Sequence, residues 1–229
     1  MKHATHALRI ALPEGGSVSA LLDRPAGPFA GLVLAHGAGA GMAHPFMARL
    51  GAALRERGVA VLRFQFPYME QGSKRPDRPA VAQMAVRAAV AEAAKQLPGV
   101  ALFAGGKSFG GRMSSQAQAD EPLPQVRGLV FAGFPLHPAG KPSTERAAHL
   151  ERVVLPMLFQ QGTRDALADL SLVRQTVERL RPRATLHVVE EADHSFHVPA
   201  RSGRSDAEVI EDLAEVAAGW MRSLAQRST

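Results

Sequence analysis

The chain has 229 residues, of which 46% are hydrophobic and 21% are charged, and these proportions are typical of a single globular α/β domain over residues 1–229. The absence of cysteine excludes disulfide bonds, a thiol nucleophile and thiolate metal sites. The net charge of +6 is dispersed along the chain, and the one locally basic stretch, residues 74–78, has no aromatic side chain that could stack on bases. We therefore expect no nucleic-acid partner.

The first ten residues lack the apolar core of a signal peptide. Nowhere does the sequence contain the roughly 18 consecutive apolar residues that a membrane-spanning helix requires. A soluble, cytoplasmic protein without a membrane partner is the expectation.

The predicted elements begin with a hairpin and continue as alternating strands and helices. The antiparallel hairpin pairs residues 7–12 with residues 17–22 across a Pro-Glu-Gly-Gly turn. Short apolar segments, typical of strands covered on both faces, follow at 31–35, 59–64, 100–104, 128–132, 157–160 and 185–189. Helices are predicted at 45–57, 79–96, 111–119, 169–180 and 206–224. This alternation favours right-handed crossovers and a mostly parallel, twisted sheet of about eight strands with helices on both faces.

One motif joins the third apolar segment to the helix that follows it. Residues 106–110 read Gly-Lys-Ser-Phe-Gly, a G-x-S-x-G pattern between strand and helix, which is the context of a nucleophile elbow. The glycines leave room for the neighbouring strand, and the serine accepts a strained backbone so that its hydroxyl projects from the sheet. Ser108 is therefore the predicted nucleophile, and a glycine-rich turn without chemistry is the alternative.

Ligands of such sheets bind beyond the carboxyl ends of the strands, where the loop at residues 36–41 has the sequence His-Gly-Ala-Gly-Ala-Gly. Its small residues allow backbone N–H groups to approach a ligand closely. We expect an oxyanion hole formed by the N–H groups of Phe109 and Ala38, with Gly39 as the second choice for the latter. A phosphate-binding loop and a flexible turn are the alternatives, although neither nucleotide-binding pattern occurs in its required context.

An acid and a histidine follow Ser108 in the chain order used by α/β hydrolases. Asp165 lies just beyond strand 157–160, where a carboxylate can orient an imidazole, whereas its rival Asp169 reads as the N-cap of the next helix. His194 lies in the loop after the last strand, where the general base is expected, and His197 is the alternative base. The predicted triad is Ser108, Asp165 and His194.

Between strands 128–132 and 157–160 lie only about two dozen residues, with several prolines and one short helical piece at 143–152. No cap domain fits in this segment, so we expect a shallow, open pocket for a small ester.

Basic side chains near the elbow are candidates for binding an anionic group of the substrate. They are Lys107, Arg112 and, in a loop on the same side of the sheet, Lys141. For all three, the sequence favours pairing with acidic neighbours over this role. Met69 and His137 are candidate pocket walls or, equally, packing residues.

Four segments carry a resemblance to a known family: Gly105-Gly-Lys-Ser-Phe-Gly-Gly-Arg112, Phe66-Pro-Tyr-Met-Glu70, Gly133-Phe-Pro-Leu-His-Pro-Ala-Gly-Lys-Pro142 and Gln161-Gly-Thr-Arg-Asp165. The chain resembles small α/β hydrolases of the testis-expressed-protein-30 type over nearly its whole length. These are similar to dienelactone-hydrolase-like enzymes and to the hydrolase-like part of a subunit of the NSL histone-acetyltransferase complex.

The resemblance implies an α/β-hydrolase fold with Ser108 as nucleophile, Asp165 as acid and His194 as base. Because dienelactone hydrolases proper carry Cys at the position of Ser108, lactone specificity is not implied. The expected activity is hydrolysis of small carboxylic esters or thioesters through an acyl-enzyme, with no metal or organic cofactor. A non-catalytic interaction module and a serine peptidase are the alternatives. A monomer or homodimer is expected. The apolar positions of the last predicted helix suit packing on the sheet better than packing on a second subunit.

Overall fold

The computed structural model describes residues 5–226 of the chain. Its strands are β1 Thr5–Ala11, β2 Ser17–Asp23, β3 Ala30–Ala35, β4 Val59–Phe64, β5 Ala101–Lys107, β6 Val126–Ala132, β7 Met157–Gly162 and β8 Ala184–Val189. Its helices are α1 Pro45–Glu56, α2 Pro67–Glu70, α3 Pro79–Gln96, α4 Phe109–Asp120, α5 Leu170–Arg179 and α6 Asp206–Ala225. Two 3₁₀ segments cover Glu145–Arg152 and Ala200–Ser202.

The eight strands form one sheet in the order β1-β2-β4-β3-β5-β6-β7-β8. The pairs β1–β2 and β2–β4 are antiparallel, and every pair from β4 to β8 is parallel. The predicted mostly parallel sheet with an antiparallel hairpin at its edge is confirmed. Parallel strands end at a common edge of the sheet, so the loops that follow β3, β5, β7 and β8 meet there.

Helices cover both faces of the sheet, which explains why the central strand β3 is apolar along its whole length. Along β3, Leu32 and Leu34 belong to the layer beneath α1 and α6. Val33 and Ala35 belong to the opposite layer, which includes residues of α3, α4 and α5. The alternation follows from the two-residue period of a strand, and it makes β3 buried along its whole length.

The structure differs from the predicted elements mainly around the glycines at residues 105–111. Strand β5 continues through Gly105 and Gly106, which stay in register with Val130 and Phe131 of β6. Helix α4 starts at Phe109, before the glycines at 110 and 111, and not at the predicted residue 111. Glycine has a low propensity for both structures, but the close packing of these segments admits no Cβ and overrides that propensity.

Two further differences concern short helical pieces. Helix α2 was not predicted, and it begins with Pro67 at a helical position where the missing N–H costs nothing. The piece predicted at 143–152 is present as the 3₁₀ segment Glu145–Arg152. It lies between β6 and β7, and the part of the chain that the structure describes contains no separate cap domain.

Candidate active site

Ser108 occupies a sharp turn between β5 and α4. Its backbone has φ 51° and ψ −115°, a conformation that residues other than glycine seldom adopt. A Cβ at Gly106 would lie 2.2 Å from the Ala35 carbonyl oxygen, and one at Gly110 would lie 2.3 Å from the same atom. Glycine at both positions therefore lets the turn pack directly against the end of β3.

The Ser108 hydroxyl is hydrogen-bonded to an imidazole from a distant loop. The Ser108 Oγ–His194 Nε2 distance is 2.8 Å, and His194 Nδ1 lies 2.8 Å from Asp165 Oδ2. The structure thus brings the three predicted triad residues into one chain of hydrogen bonds. An imidazole held in this way donates from Nδ1 to the carboxylate and accepts the hydroxyl proton at Nε2.

The Asp165 carboxylate is buried, with 1% of its side chain exposed, and three donors converge on it. Besides His194, the Gln161 side chain donates to Oδ2, and the Leu167 N–H donates to Oδ1 at 2.8 Å. The rival acid, Asp169, is exposed and caps α5 by accepting the N–H groups of Ser171 and Leu172. The structure therefore places Asp165, and not Asp169, against the imidazole. Gln161 is a part of the site that sequence reasoning missed, because nothing in its surroundings marks an amide that points at the acid.

The loop that carries His194 is held by a turn centred on Asp193. The Asp193 carboxylate accepts the N–H groups of Ser195 and His197, at 2.7 Å and 3.0 Å. The alternative base, His197, is exposed and bonded to the Asp206 carboxylate, which raises its pKa. His197 is therefore bound away from Ser108 in this structure.

The loop at residues 36–41 passes close to Ser108, since a Cβ on Gly37 would lie 3.7 Å from Ser108 Cβ. The His36 ring holds the start of this loop through hydrogen bonds of both its nitrogens. Its Nε2 accepts the Phe66 N–H at 3.0 Å, and its Nδ1 lies 2.8 Å from the Gly37 carbonyl oxygen. Burial lowers the pKa of His36 to about 4, so the ring is neutral at pH 7 and Nε2 is free to accept.

The predicted oxyanion donors differ in their availability. The Gly39 N–H donates to the Tyr68 hydroxyl at 3.3 Å. For Ala38 and Phe109, no hydrogen bond of the N–H group is found within residues 5–226. Ala38 also lines the cavity beside Ser108, whereas Gly39 does not. The hydroxyl of Tyr68, a residue that was not a predicted part of the site, accepts the hydrogen bond of the Gly39 N–H.

A cavity of about 310 Å³ opens above Ser108. Its walls are mostly small or apolar: Gly37, Ala38, Ala40, His44, Phe46, Met47, Lys107, Ser108, Leu167, His194 and Ser195. A larger surface groove of about 1030 Å³ runs between α5 and the edge strand β8, but none of the triad residues borders it. The cavity of about 310 Å³ is therefore the candidate substrate site, because Ser108 and His194 line it.

The four residues expected to bind substrate lie in different surroundings. Lys107 borders the cavity, but its ammonium group donates to the backbone carbonyl of His194. Arg112, Met69 and His137 do not border the cavity. Arg112 lies on the second turn of α4 beside Arg146, Met69 packs against the core, and His137 is buried. His137 instead accepts the Asp169 N–H at Nε2, 2.9 Å away, and so ties two loops together.

Within residues 5–226, no group of three or more His, Asp or Glu side chains has the arrangement of a metal site. Over the same residues, every helix is too short or too polar to cross a lipid bilayer.

Comparison with known proteins identifies the family to which this fold belongs. Residues 28–222 match the family described as the alpha/beta hydrolase domain. The chain belongs to the α/β hydrolase domain family. For this α/β hydrolase, the match covers every strand from β3 to β8 and the three loops that carry Ser108, Asp165 and His194.

Solved structures similar to this α/β hydrolase share its fold at low sequence identity. A dienelactone hydrolase from Anabaena variabilis aligns with a TM-score of 0.78 and 18% identity, over 98% of this chain and 99% of that chain. A lidless α/β serine hydrolase from Xanthomonas campestris aligns with a TM-score of 0.75 and 24% identity, over 96% of each chain. The esterase domain of a Rhodothermus marinus protein aligns with a TM-score of 0.74 and 18% identity, over 97% of this chain and 99% of that chain. At these identities the likeness concerns the fold, which extends over nearly the whole chain.

Proposed function

We propose that this α/β hydrolase is a serine hydrolase that cleaves small carboxylic esters or thioesters. The observation that carries the proposal is the position of the His194 imidazole, 2.8 Å from Ser108 Oγ on one side and 2.8 Å from Asp165 Oδ2 on the other. Ser108 and His194 line a cavity of about 310 Å³, so the carbonyl carbon of a bound substrate has access to the Ser108 hydroxyl. The solved structures of similar fold include proteins described as a dienelactone hydrolase, a serine hydrolase and an esterase domain.

The proposed reaction has two halves. In the first, His194 Nε2 takes the hydroxyl proton as Ser108 Oγ attacks the substrate carbonyl, and the imidazolium then gives that proton to the departing alcohol or thiol. In the second, water loses a proton to His194, attacks the acyl-enzyme, and releases the acid as Ser108 regains its proton. The Ala38 and Phe109 N–H groups are the donors we assign to the oxyanion in both halves.

The size and lining of the cavity favour a small acyl group. Phe46, Met47 and Leu167 present apolar surface beside Ser108, and no cap domain among the described residues extends the site. A compact acyl chain gains apolar contacts here, whereas the remainder of a long lipid chain would stay in water.

Several narrower expectations accompany this function as predictions. They are a single domain over residues 1–229, a monomer or homodimer, a cytoplasmic location, a mechanism without cofactor, and kinship with the testis-expressed-protein-30 type. Apart from the absence of a cofactor, each is independent of the reaction chemistry proposed for Ser108.

A fluorophosphonate probe tests the proposed function directly, because it reacts with a serine that is activated by a base and an oxyanion hole. We expect intact-mass analysis to find one adduct on the wild-type protein, peptide mapping to locate it on Ser108, and Ser108→Ala to abolish both the adduct and ester turnover. The control is Ser223→Ala, which removes an exposed hydroxyl on α6 that donates to the Trp220 carbonyl oxygen. Absence of labelling in a folded wild-type sample would refute the proposal and favour an interaction module on a hydrolase scaffold.

A further inference from the structure

The side chain next to the proposed nucleophile makes an unusual contact across the site. Lys107 is the last residue of β5, and its Nζ donates to the backbone carbonyl oxygen of His194 at 2.6 Å. We propose that Lys107 is a positioning residue, whose ammonium group holds the His194 backbone so that the imidazole spans Ser108 and Asp165. This inference rests on the proposed function, and it replaces the expectation that Lys107 binds an anionic group of the substrate.

Two aromatic rings hold the ammonium group in place. Lys107 Nζ lies 5.9 Å from the centroid of the Phe46 ring and 5.4 Å from that of Phe196. The two rings are stacked, with centroids 5.7 Å apart and planes 13° apart. Phe46 belongs to α1 and Phe196 to the loop of His194, so one cation contacts both elements through the faces of their rings.

Glycine at position 133 leaves the space that this contact occupies. A Cβ there would lie 3.0 Å from Lys107 Nζ and 3.6 Å from both Cε1 and Nδ1 of His194. The ammonium group and the imidazole are thus neighbours at the end of β6, with no side chain between them. A lysine displaced from this position would free the loop to move the imidazole.

The partner of the ammonium group is a neutral carbonyl, which argues for a task other than charge pairing. Within residues 5–226, no carboxylate lies within ion-pair distance of Lys107. Burial lowers the pKa of Lys107 to about 8, against the attraction of the Asp165 and Asp193 carboxylates. A cation kept at this cost beside a proposed active site is more readily explained by function than by stability.

A charged donor makes a stronger hydrogen bond to a carbonyl than a neutral donor does, so the loss of this bond should be visible in the rate. We therefore expect Lys107→Cys to lower kcat by roughly 10- to 100-fold with little change in KM, since the lost contact aligns the base and does not hold the substrate.

The absence of cysteine from the chain permits a test that separates charge from shape. In the Lys107→Cys variant the new thiol is unique, so 2-bromoethylamine rebuilds a lysine-like side chain that ends in an ammonium group, and 1-bromopropane builds an uncharged chain of nearly the same length. Wild-type protein treated with each reagent is the control for reaction elsewhere. We expect the aminoethyl form to recover kcat to within a few-fold of wild type, and the propyl form to stay as low as the unmodified variant.

Two substrates distinguish positioning from anion binding. The variant forms are assayed with 4-nitrophenyl acetate, which is uncharged, and with the mono-4-nitrophenyl ester of succinate, which is anionic. Positioning predicts the same fall in kcat for both esters. A rise in KM confined to the anionic ester would overturn the proposal in favour of a substrate-binding role. If the propyl form recovered kcat as well as the aminoethyl form does, the proposal would also fail, because Lys107 would then only fill space.

A second readout keeps the test independent of turnover. The hydrogen-bonded Nδ1–H of a triad histidine gives a low-field proton resonance, which His194→Ala should remove and thereby assign. We expect this resonance in the wild-type and aminoethyl forms and its loss or broadening in the propyl form. Its persistence in the propyl form would contradict the positioning role. If wild type lacks both probe labelling and ester turnover, the proposed function fails, while the resonance still decides whether Lys107 orients His194.

Discussion

The assignment of Asp165 as the acid leads to a sharp prediction, because its carboxylate accepts from three donors. Oδ2 receives the Gln161 amide and His194 Nδ1, and Oδ1 receives the Leu167 N–H. In Asp165→Asn only one oxygen remains. Whichever way the new amide is turned, its NH2 group faces at least one donor.

Facing His194, the amide would donate to Nδ1, so the imidazole proton would move to Nε2, where it prevents the ring from accepting the Ser108 proton. A wrong tautomer of this kind lowers kcat by about 10⁴-fold, which corresponds to about 5.4 kcal/mol in activation free energy. Facing Leu167, the amide would lose one buried hydrogen bond and leave a donor unsatisfied, at a cost of about 1 to 3 kcal/mol in the free energy of unfolding.

The assay is kcat/KM for 4-nitrophenyl acetate, with the melting temperature measured in parallel. Asp169→Asn is the matched control, because it makes the same substitution four residues away at an exposed N-cap, where asparagine caps as well as aspartate. We expect a large loss of activity in the first variant and wild-type activity in the second. A folded Asp165→Asn protein that retains activity within about tenfold of wild type, or an equal loss in Asp169→Asn, would refute the assignment.

Two further predictions concern packing around the nucleophile. Gly110→Ala would place a Cβ 2.3 Å from the Ala35 carbonyl oxygen, so we expect it to abolish fluorophosphonate labelling and to lower the free energy of unfolding by about 1 to 3 kcal/mol. Its control is Gly219→Ala in α6, where nothing lies within 4 Å of the new Cβ. For this control we expect urea denaturation to show a gain of about 0.5 to 1 kcal/mol in the free energy of unfolding. Leu167→Ala removes part of the cavity wall and so leaves more room for an acyl chain. We expect kcat/KM for 4-nitrophenyl hexanoate, divided by kcat/KM for 4-nitrophenyl acetate, to rise about tenfold. An unchanged ratio would show that the acyl chain lies elsewhere.

Much of the fold could be predicted because its signals are local. The buried strands are short apolar runs bounded by turns, and β4 occupies the same residues, 59–64, that the pattern predicts. Pro45 and Pro79 mark the starts of α1 and α3, where proline suits the first helical position. The end of β5 and the start of α4 could not be predicted in this way, because the glycines at these positions are required by close contacts with strands that are distant in the sequence.

For the site, the sequence by itself determined the three residues of the proposed triad and their order. A G-x-S-x-G turn after a strand, and an acid and a histidine after later strands, require only that parallel strands end at one edge of the sheet. Which side chains surround that triad was decided by the tertiary structure alone. Lys107 is adjacent to Ser108 in sequence, yet its ammonium group reaches a loop 87 residues later in the chain. Arg112 is only one helical turn from Ser108, yet it does not border the cavity, because the register of the sheet and the rotation of α4 decide where each side chain points.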